Sequence, residues 1–168
     1  MGTVNAPRIV LVMGVAGSGK TTVGQLLAHQ LGWQFNDADE FHSPANVAKM
    51  SAGLPLSDTD REPWLGAIRT HMEHCLAERT GAVVTCSALK QAYRHVLMNG
   101  LADVRLAYLH GSRELLLARI SSRQGHFMKP AILDSQLAAL EQPNDALKVS
   151  IDADPPALVA TIRTAFSL

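Results

Sequence analysis

Residues 14–21 form a glycine-rich segment that restricts the fold of this chain more than any other part of its sequence. Read in order, the segment is Gly14-Val15-Ala16-Gly17-Ser18-Gly19-Lys20-Thr21. It fits the pattern G-x-x-x-x-G-K-[ST], and it lies between an apolar run at 9–13 and a stretch of helical periodicity. Backbone N–H groups of such a loop form a concave anion site, to which the following helix adds its positive end. The segment therefore predicts a phosphate-binding turn between a strand and a helix.

The motif gives separate tasks to its positions. The Lys20 ammonium is expected to reach the β- and γ-phosphates of a nucleotide, and the Thr21 hydroxyl is expected to ligate Mg²⁺. The alternative is a turn that only connects two elements, but every fixed position of the pattern is filled in the right context. The residues expected to bind nucleotide here are Gly14, Val15, Ala16, Gly17, Ser18, Gly19, Lys20, Thr21 and Thr22.

Short apolar runs alternate with helical segments along the rest of the chain. The runs cover residues 8–13, 33–35, 82–86, 104–109 and 148–151. This alternation is typical of βα units, and strands that are apolar throughout fit a sheet covered by helices on both faces. The sequence thus predicts a single α/β domain over residues 1–168. Its fold would be the three-layer α/β/α P-loop NTPase fold, with a five-stranded, mostly parallel sheet and a short helical lid.

Two polar stretches break this alternation. Residues 36–60 are rich in Asp, Ser, Pro and Gly, and residues 124–133 are polar and contain a Lys-Pro step. Long irregular segments in compact domains commonly carry function. We expect a substrate-binding insert at about residues 37–65 and a lid at about residues 120–135.

Composition narrows the class of ligand. Fifteen basic and fifteen acidic side chains balance each other, whereas a protein that binds nucleic-acid phosphates needs a basic excess or stripe. No apolar run approaches the roughly 20 residues that span a bilayer. The two cysteines, Cys75 and Cys86, lack the density of a secreted disulfide scaffold. We expect a small-molecule ligand, a cytoplasmic location, and neither a nucleic-acid nor a membrane partner.

The guanine-reading and Walker B signals of other P-loop proteins are missing. None of the asparagines is followed by lysine, which argues against a GTPase switch. The apolar run at 82–86 ends in Cys86-Ser87 rather than in the acidic residue that often holds Mg²⁺. Asp37 and Asp39, which follow the second short strand, are the nearest substitutes.

Several further blocks carry a family resemblance. They are Asp37-Ala38-Asp39 with His42, Asn46, Lys49 and Met50; residues 53–65; Cys86-Ser87-Ala88-Leu89-Lys90 with Tyr93 and Arg94; and His126-Phe127-Met128 with Ser135-Gln136. Together with the phosphate loop, they resemble the small gluconokinases of the shikimate-kinase-like and nucleoside-monophosphate-kinase-like P-loop group over nearly the whole chain. The block at 53–65 distinguishes this group from shikimate and adenylate kinases.

The resemblance implies an activity and its cofactors. Enzymes of this group use ATP and Mg²⁺ to phosphorylate D-gluconate on O6, and they feed sugar-acid catabolism. They are commonly dimers, so a homodimer is an expectation for this chain. Two alternatives remain at this point: another small-metabolite kinase, such as a shikimate-type enzyme, and a nucleotide-binding regulatory module without turnover.

The resemblance also implies roles for acidic residues. By similarity to related kinases, Asp39 is expected to accept a hydrogen bond from the acceptor hydroxyl and to act as base, beside the catalytic Lys20. Asp37 is expected near Mg²⁺ through water, with Thr21 as a direct ligand. The alternative for both aspartates is an ordinary Asx turn or helix cap.

Basic residues are expected to bind gluconate and ATP. A carboxylate substrate calls for a guanidinium, and Arg61 and Arg94 fit best. Arg119 and Arg123 share a helix face that runs toward the predicted lid and are expected to contact ATP, with Arg123 at the transition state. Further candidates for gluconate contacts are His42, Lys49, Lys90 and, as a lid residue or an ordinary loop histidine, His126. The alternative for each is an exposed surface charge.

Overall fold

One parallel sheet forms the centre of the computed structural model, which describes residues 6–122 and 130–168. Its strands are β1 (Ile9–Met13), β2 (Gln34–Asp37), β3 (Ala82–Thr85), β4 (Val104–His110) and β5 (Leu147–Ser150). Their order is β2-β3-β1-β4-β5, and every neighbouring pair is parallel. The predicted sheet is confirmed, because each predicted strand overlaps an observed one.

Helices cover both faces of the sheet. They are α1 (Lys20–Leu31), α2 (Pro44–Ser51), α3 (Asp58–Ala77), α4 (Gln91–Met98), α5 (Arg113–Ser121), α6 (Pro130–Ala139) and α7 (Pro155–Phe166), with a 3₁₀ turn at Ala38–Phe41. In β1, Val10 and Val12 pack in the core shared with α1, α5, α6 and α7, whereas Ile9, Leu11 and Met13 pack in the core shared with α3 and α4. The central strand is apolar throughout because both of its faces are covered.

The second strand differs from its prediction at its end. Hydrophobicity predicted a strand over 33–35, but β2 continues to Asp37, which pairs with Thr85 of β3. Polar residues are tolerated there because β2 is an edge strand whose side chains are partly open to solvent. Asp37 is therefore held by the sheet rather than by a loop.

Residues 36–60 are more regular than their composition indicated. The segment contains the end of β2, the 3₁₀ turn, α2 and the first turn of α3. Ser43 caps α2, and Ser57 caps α3 in a capping box with Asp60. The Ser, Asp and Pro residues that indicated a loop are helix-start signals here.

None of the helices in the described part of the chain is long and apolar enough to cross a membrane. The predicted lid at 120–135 includes the end of α5 and the start of α6, and its central residues 123–129 lie outside the described ranges.

Candidate active site

A cleft of about 530 Å³ opens at the carboxyl ends of the central strands. This is the edge at which open α/β sheets bind their ligands. The phosphate loop forms one wall, and the others come from β2 with the 3₁₀ turn after it, from β3, and from α2, α3, α5 and α6. Its lining residues are Ala16, Gly17, Gly19, Lys20, Thr21, Asp37, Ala38, Asp39, Met50, Trp64, Thr85, Cys86, Ser87, Ile120, Ile132 and Gln136.

Two glycines shape the phosphate loop. Gly17 has φ 81°, and a Cβ there would lie 2.9 Å from the carbonyl oxygen of Leu116 in α5. Gly19 has φ 87° and is the N-cap of α1. L-residues rarely adopt these angles, so glycine allows the backbone N–H groups to turn toward the cleft. The Lys20 ammonium donates to the Val15 carbonyl across the loop at 3.2 Å.

The predicted nucleotide-binding residues divide into two sets. Ala16, Gly17, Gly19, Lys20 and Thr21 line the cleft. The others are Gly14, Val15 and Ser18, which are buried residues of the loop, and Thr22, which is exposed on α1.

Thr21 and Asp37 lie together, as the magnesium hypothesis requires. The Thr21 hydroxyl donates to Oδ2 of Asp37 at 3.5 Å, and Oδ1 of Asp37 accepts from the backbone N–H of Asp39 at 2.9 Å. Asp37 therefore does cap the 3₁₀ turn, and its second oxygen still faces the phosphate loop. A hydroxyl and a carboxylate beside a phosphate site form a donor set that suits Mg²⁺.

Asp39 is the carboxylate that faces the open part of the cleft. Its side chain is 85% exposed, and Nε2 of His42 lies 3.9 Å from Oδ1. Loss of water at the concave wall raises the pKa of Asp39, and the negative charge of Asp37 raises it further, whereas His42 and Lys20 act in the opposite direction. An accessible carboxylate of raised pKa can take up a proton from a substrate hydroxyl.

His42 supports the wall next to Asp39. Its ring stacks on Trp64 with 4.4 Å between ring centroids, and the Trp64 indole donates to the carbonyl of Ala38 at 2.7 Å. Burial lowers the pKa of His42, which favours the neutral imidazole. The predicted substrate residue His42 is thus in contact with two residues that line the cleft.

A cluster of charged residues lies at the α3–α4 side. The Arg61 guanidinium lies 5.7 Å and the Lys90 ammonium 5.5 Å from the centre of the Tyr93 ring. Lys90 pairs with Asp58 at 3.3 Å, and the Tyr93 hydroxyl also donates to Asp58. The hydrogen bond from Tyr93 lowers the pKa of Asp58, and the bond from Lys90 lowers it further. Arg61 and Lys90 therefore share Tyr93 and Asp58 as neighbours, and neither cation is among the residues that line the cleft.

Lys49 makes a structural ion pair. Its ammonium lies 2.8 Å from Oδ2 of Asp60, the carboxylate that completes the cap of α3. The pKa of Asp60 is lowered to about 2. The hydrogen bond from Lys49 makes the largest contribution, and the hydrogen bonds with Ser57 lower the pKa further.

Arg94 does not reach the cleft. Its side chain is buried, and its guanidinium donates to three backbone carbonyls, those of Ala88, Leu89 and Glu141, at 2.8, 3.0 and 2.8 Å. Because Arg94 follows the third strand, it was expected at the carboxyl edge of the sheet. It lies instead on the buried face of α4. In the described structure Arg94 holds the segment after β3 and is not free to bind a carboxylate.

Of the predicted lid arginines, only Arg119 is described. One guanidinium nitrogen lies 3.8 Å from a Cβ built on Gly19, and another donates to the carbonyl of Ile151. Arg119 is therefore beside the phosphate loop. Arg123 and His126 lie outside the described residues.

Sequence reasoning did not select several lining residues as site residues. Trp64 is largely buried in the core packed against α3, yet it also lines the cleft. Gln136 accepts a hydrogen bond from the backbone N–H of Ala16 at 2.7 Å. Cys86 is buried, which raises the pKa of its thiol to about 12, so it stays protonated. An amide on the largely apolar face of α6 was the available signal for Gln136.

Comparisons with known proteins show the family to which the chain belongs. The family model described as "Shikimate kinase" matches residues 16–148. A "Gluconokinase" from Gluconobacter oxydans (strain 621H) is 45% identical over 152 residues, which cover 89% of this chain and 85% of that protein. The chain belongs to the gluconokinase family. Membership in this family of kinases means that the chain is an enzyme, and it does not favour the regulatory-module alternative.

Solved structures of relatives agree with this family. A gluconokinase from Sinorhizobium meliloti 1021 has a TM-score of 0.84 at 37% identity and covers 96% of this chain and 93% of its own. An unliganded sugar kinase from Janibacter sp. HTCC2649 has a TM-score of 0.85 at 42% identity and covers 94% and 93%. The α/β kinase fold predicted from the phosphate loop is thereby confirmed.

Proposed function

We propose that this chain transfers the γ-phosphoryl group of ATP to O6 of D-gluconate, giving 6-phospho-D-gluconate and ADP. The observation that carries the proposal is the sharing of one cleft by a phosphate loop and an open carboxylate. Lys20, Thr21 and Asp39 all line this cleft. Family membership supports gluconate as the acceptor rather than shikimate.

Asp39 is proposed as the residue that takes the proton. The bond between the γ-phosphorus and the oxygen bridging to the β-phosphate breaks, a bond from the γ-phosphorus to O6 forms, and the O6 proton passes to Asp39. Phosphoryl transfer needs mainly alignment and charge stabilisation. Lys20 and the loop N–H groups are proposed to stabilise the negative charge of the phosphates.

Thr21 and Asp37 are the residues proposed to hold Mg²⁺, Thr21 directly and Asp37 through water. When bound, the ion would neutralise charge on the β- and γ-phosphates. The 3.5 Å contact between the Thr21 hydroxyl and Asp37 supports this assignment, because both oxygens are already on the same side of the loop.

The gluconate carboxylate is proposed to meet Arg61 and Lys90. Both cations lie near the Tyr93 ring, and both have only Asp58 as an anionic partner among the described residues. His42 is proposed to contact a hydroxyl, whereas the pairing of Lys49 with Asp60 favours a structural role. Arg119 is proposed to contact ATP, and the expected roles of Arg123 and His126 stay predictions.

A cytoplasmic location, which rests on the low cysteine content, and a homodimer, which rests on the family resemblance, are further proposals. Light scattering during size-exclusion chromatography would test the dimer, and a monomer at micromolar concentration would contradict it.

The experiment that tests the function measures ADP release with MgATP and one acceptor at a time: none, D-gluconate, shikimate, glucose or AMP. Gluconate alone is expected to stimulate release, and NMR of the product is expected to place the phosphate on O6. Stimulation by shikimate instead would support the alternative of a shikimate-type kinase. Tight ATP binding without stimulation by any acceptor would contradict the proposed activity.

A further inference from the structure

The strongest unassigned contact in the cleft joins α6 to the phosphate loop. Oε1 of Gln136 accepts from the backbone N–H of Ala16 at 2.7 Å, across 120 residues of sequence. Ala16 belongs to the loop, and both residues line the cleft. A long-range bond of this length fixes one end of the Gln136 carboxamide against the loop.

This bond also determines which way the carboxamide faces. The Ala16 N–H is a donor, so the atom that meets it must be the carbonyl oxygen of the amide. The Nε2 group therefore points away from that N–H. Within residues 6–122 and 130–168, Nε2 donates no hydrogen bond, although an amide nitrogen carries two donors. Gln136 thus brings a neutral, oriented donor to the cleft that Lys20 also lines.

We propose that Gln136 is a catalytic residue whose Nε2 donates to a non-bridging oxygen of the γ-phosphoryl group during transfer. This inference rests on the proposed function and adds a residue to its machinery. Negative charge spreads over these oxygens in the transition state, and a donor already held in place stabilises it without reorganisation. A glutamine suits this position because it donates without adding a negative charge to a site that must bind phosphates.

The competing explanation is that Gln136 only attaches α6 to the phosphate loop. The two explanations differ in which ligand binds more weakly when the side chain is lost. A donor to the γ-phosphoryl group affects turnover and the binding of an ATP analogue, but not the binding of ADP. A structural attachment affects ADP binding, ATP-analogue binding and thermal stability together.

The test compares Gln136→Met with wild type by kcat, by calorimetric affinity for ADP and for a non-hydrolysable ATP analogue, and by Tm. Met keeps the length of the side chain and removes both amide functions. We expect kcat to fall about 100-fold, the usual result of removing one oriented donor. Affinity for the ATP analogue is expected to fall by a larger factor than affinity for ADP, because loss of the bond to Ala16 affects both ligands whereas loss of the donor affects only the analogue. Gln142→Met, at an exposed position outside the cleft, is the matched control and should behave as wild type.

Gln136→Glu gives a second readout, because glutamate retains an acceptor for Ala16 but loses the donor when ionised. Its kcat relative to wild type is expected to rise as pH falls toward about 4.3, where a glutamic acid regains a proton to donate. An unchanged kcat in Gln136→Met, or equal losses of affinity for ADP and for the ATP analogue, would overturn the inference. Failure of wild type to phosphorylate gluconate would instead contradict the proposed function, and the ADP and ATP-analogue affinities would still test Gln136.

Discussion

Among single residues, the acidic and basic groups of the cleft have opposite effects on the pKa of Asp39. Asp39 lies beside Asp37 and faces Lys20 and His42, so its ionised form is both repelled and attracted. Loss of water outweighs the attraction and raises its pKa. A carboxylate whose pKa is raised by its surroundings is typical of a catalytic position.

Asp39→Asn is expected to lower kcat by about 100-fold or more, because the proton acceptor is lost. It is also expected to raise Tm at neutral pH, since a raised pKa means that ionised Asp39 destabilises the folded state relative to the unfolded chain. Steady-state kinetics and thermal unfolding measure both effects. Glu40→Gln, at an exposed neighbouring position, is the control, and an unchanged kcat in Asp39→Asn would remove the base role.

The same pKa shift predicts the acid limb of the pH profile. A raised pKa means that Asp39 becomes protonated, and inactive as a base, at a pH above the ordinary aspartate value of about 3.9. We therefore expect kcat/KM for gluconate to decline on acidification before an unperturbed aspartate would titrate. A profile that stays flat down to about pH 4 would contradict this assignment.

Arg61→Ala is expected to raise the KM for gluconate by about tenfold or more, the range for a hydrogen bond to a charged group, while the KM for ATP stays unchanged. Its guanidinium is partly exposed and lies beside Tyr93 rather than beside the phosphate loop. Glu62→Ala, the exposed next residue, is the matched control. Equal changes in both KM values would show that Arg61 acts through the fold.

At the scale of elements, the start of α3 and the segment after β3 hold the walls of the cleft. The N-terminus of α3 is closed by a reciprocal cap between Ser57 and Asp60. The segment after β3 is attached through Arg94 to the carbonyls of Ala88, Leu89 and Glu141. The sequence predicted that Arg94 binds substrate and that the segment containing Ser57 and Asp60 is irregular, whereas all three residues hold local structure.

Ser57→Ala is expected to lower the free energy of unfolding by about 1 kcal/mol, the usual effect of losing an N-cap. Chemical denaturation at neutral pH measures it, with the exposed Ser51→Ala as control. Asp60 has a pKa lowered to about 2, so its contribution is present above the unfolded value of 3.8 and is lost as pH falls through about 2. Equal stability of the two variants would contradict the cap.

Arg94→Met is expected to destabilise the fold by about 2–4 kcal/mol, because a buried cation loses its contacts and three carbonyls lose a donor. Thermal unfolding measures this effect, and His95→Gln at the exposed neighbouring position is the control. The KM for gluconate is expected to stay unchanged well below the melting temperature. A raised KM with unchanged Tm would restore Arg94 to the substrate site.

At the scale of the whole molecule, the sheet gathers distant segments into one cleft. The phosphate loop follows β1, Asp37 ends β2, Ser87 follows β3, and Gln136 comes from α6. Parallel order places the carboxyl ends of neighbouring strands at one edge. The motifs are separate segments of the sequence. The pairing of β2 with β3 brings one of them, at Asp37, opposite Thr85.

The class of fold and the phosphate loop followed from the amino-acid sequence alone, because the apolar runs of the strands and the glycine positions of the loop are local properties of the chain. The sequence also singled out Asp37 and Asp39, which line the cleft at the end of β2 and in the 3₁₀ turn after it. The positions of Arg94 and Gln136 depended on the tertiary structure. Their roles depend on which carbonyl or N–H lies within hydrogen-bond reach, and those partners come from segments far away in the chain.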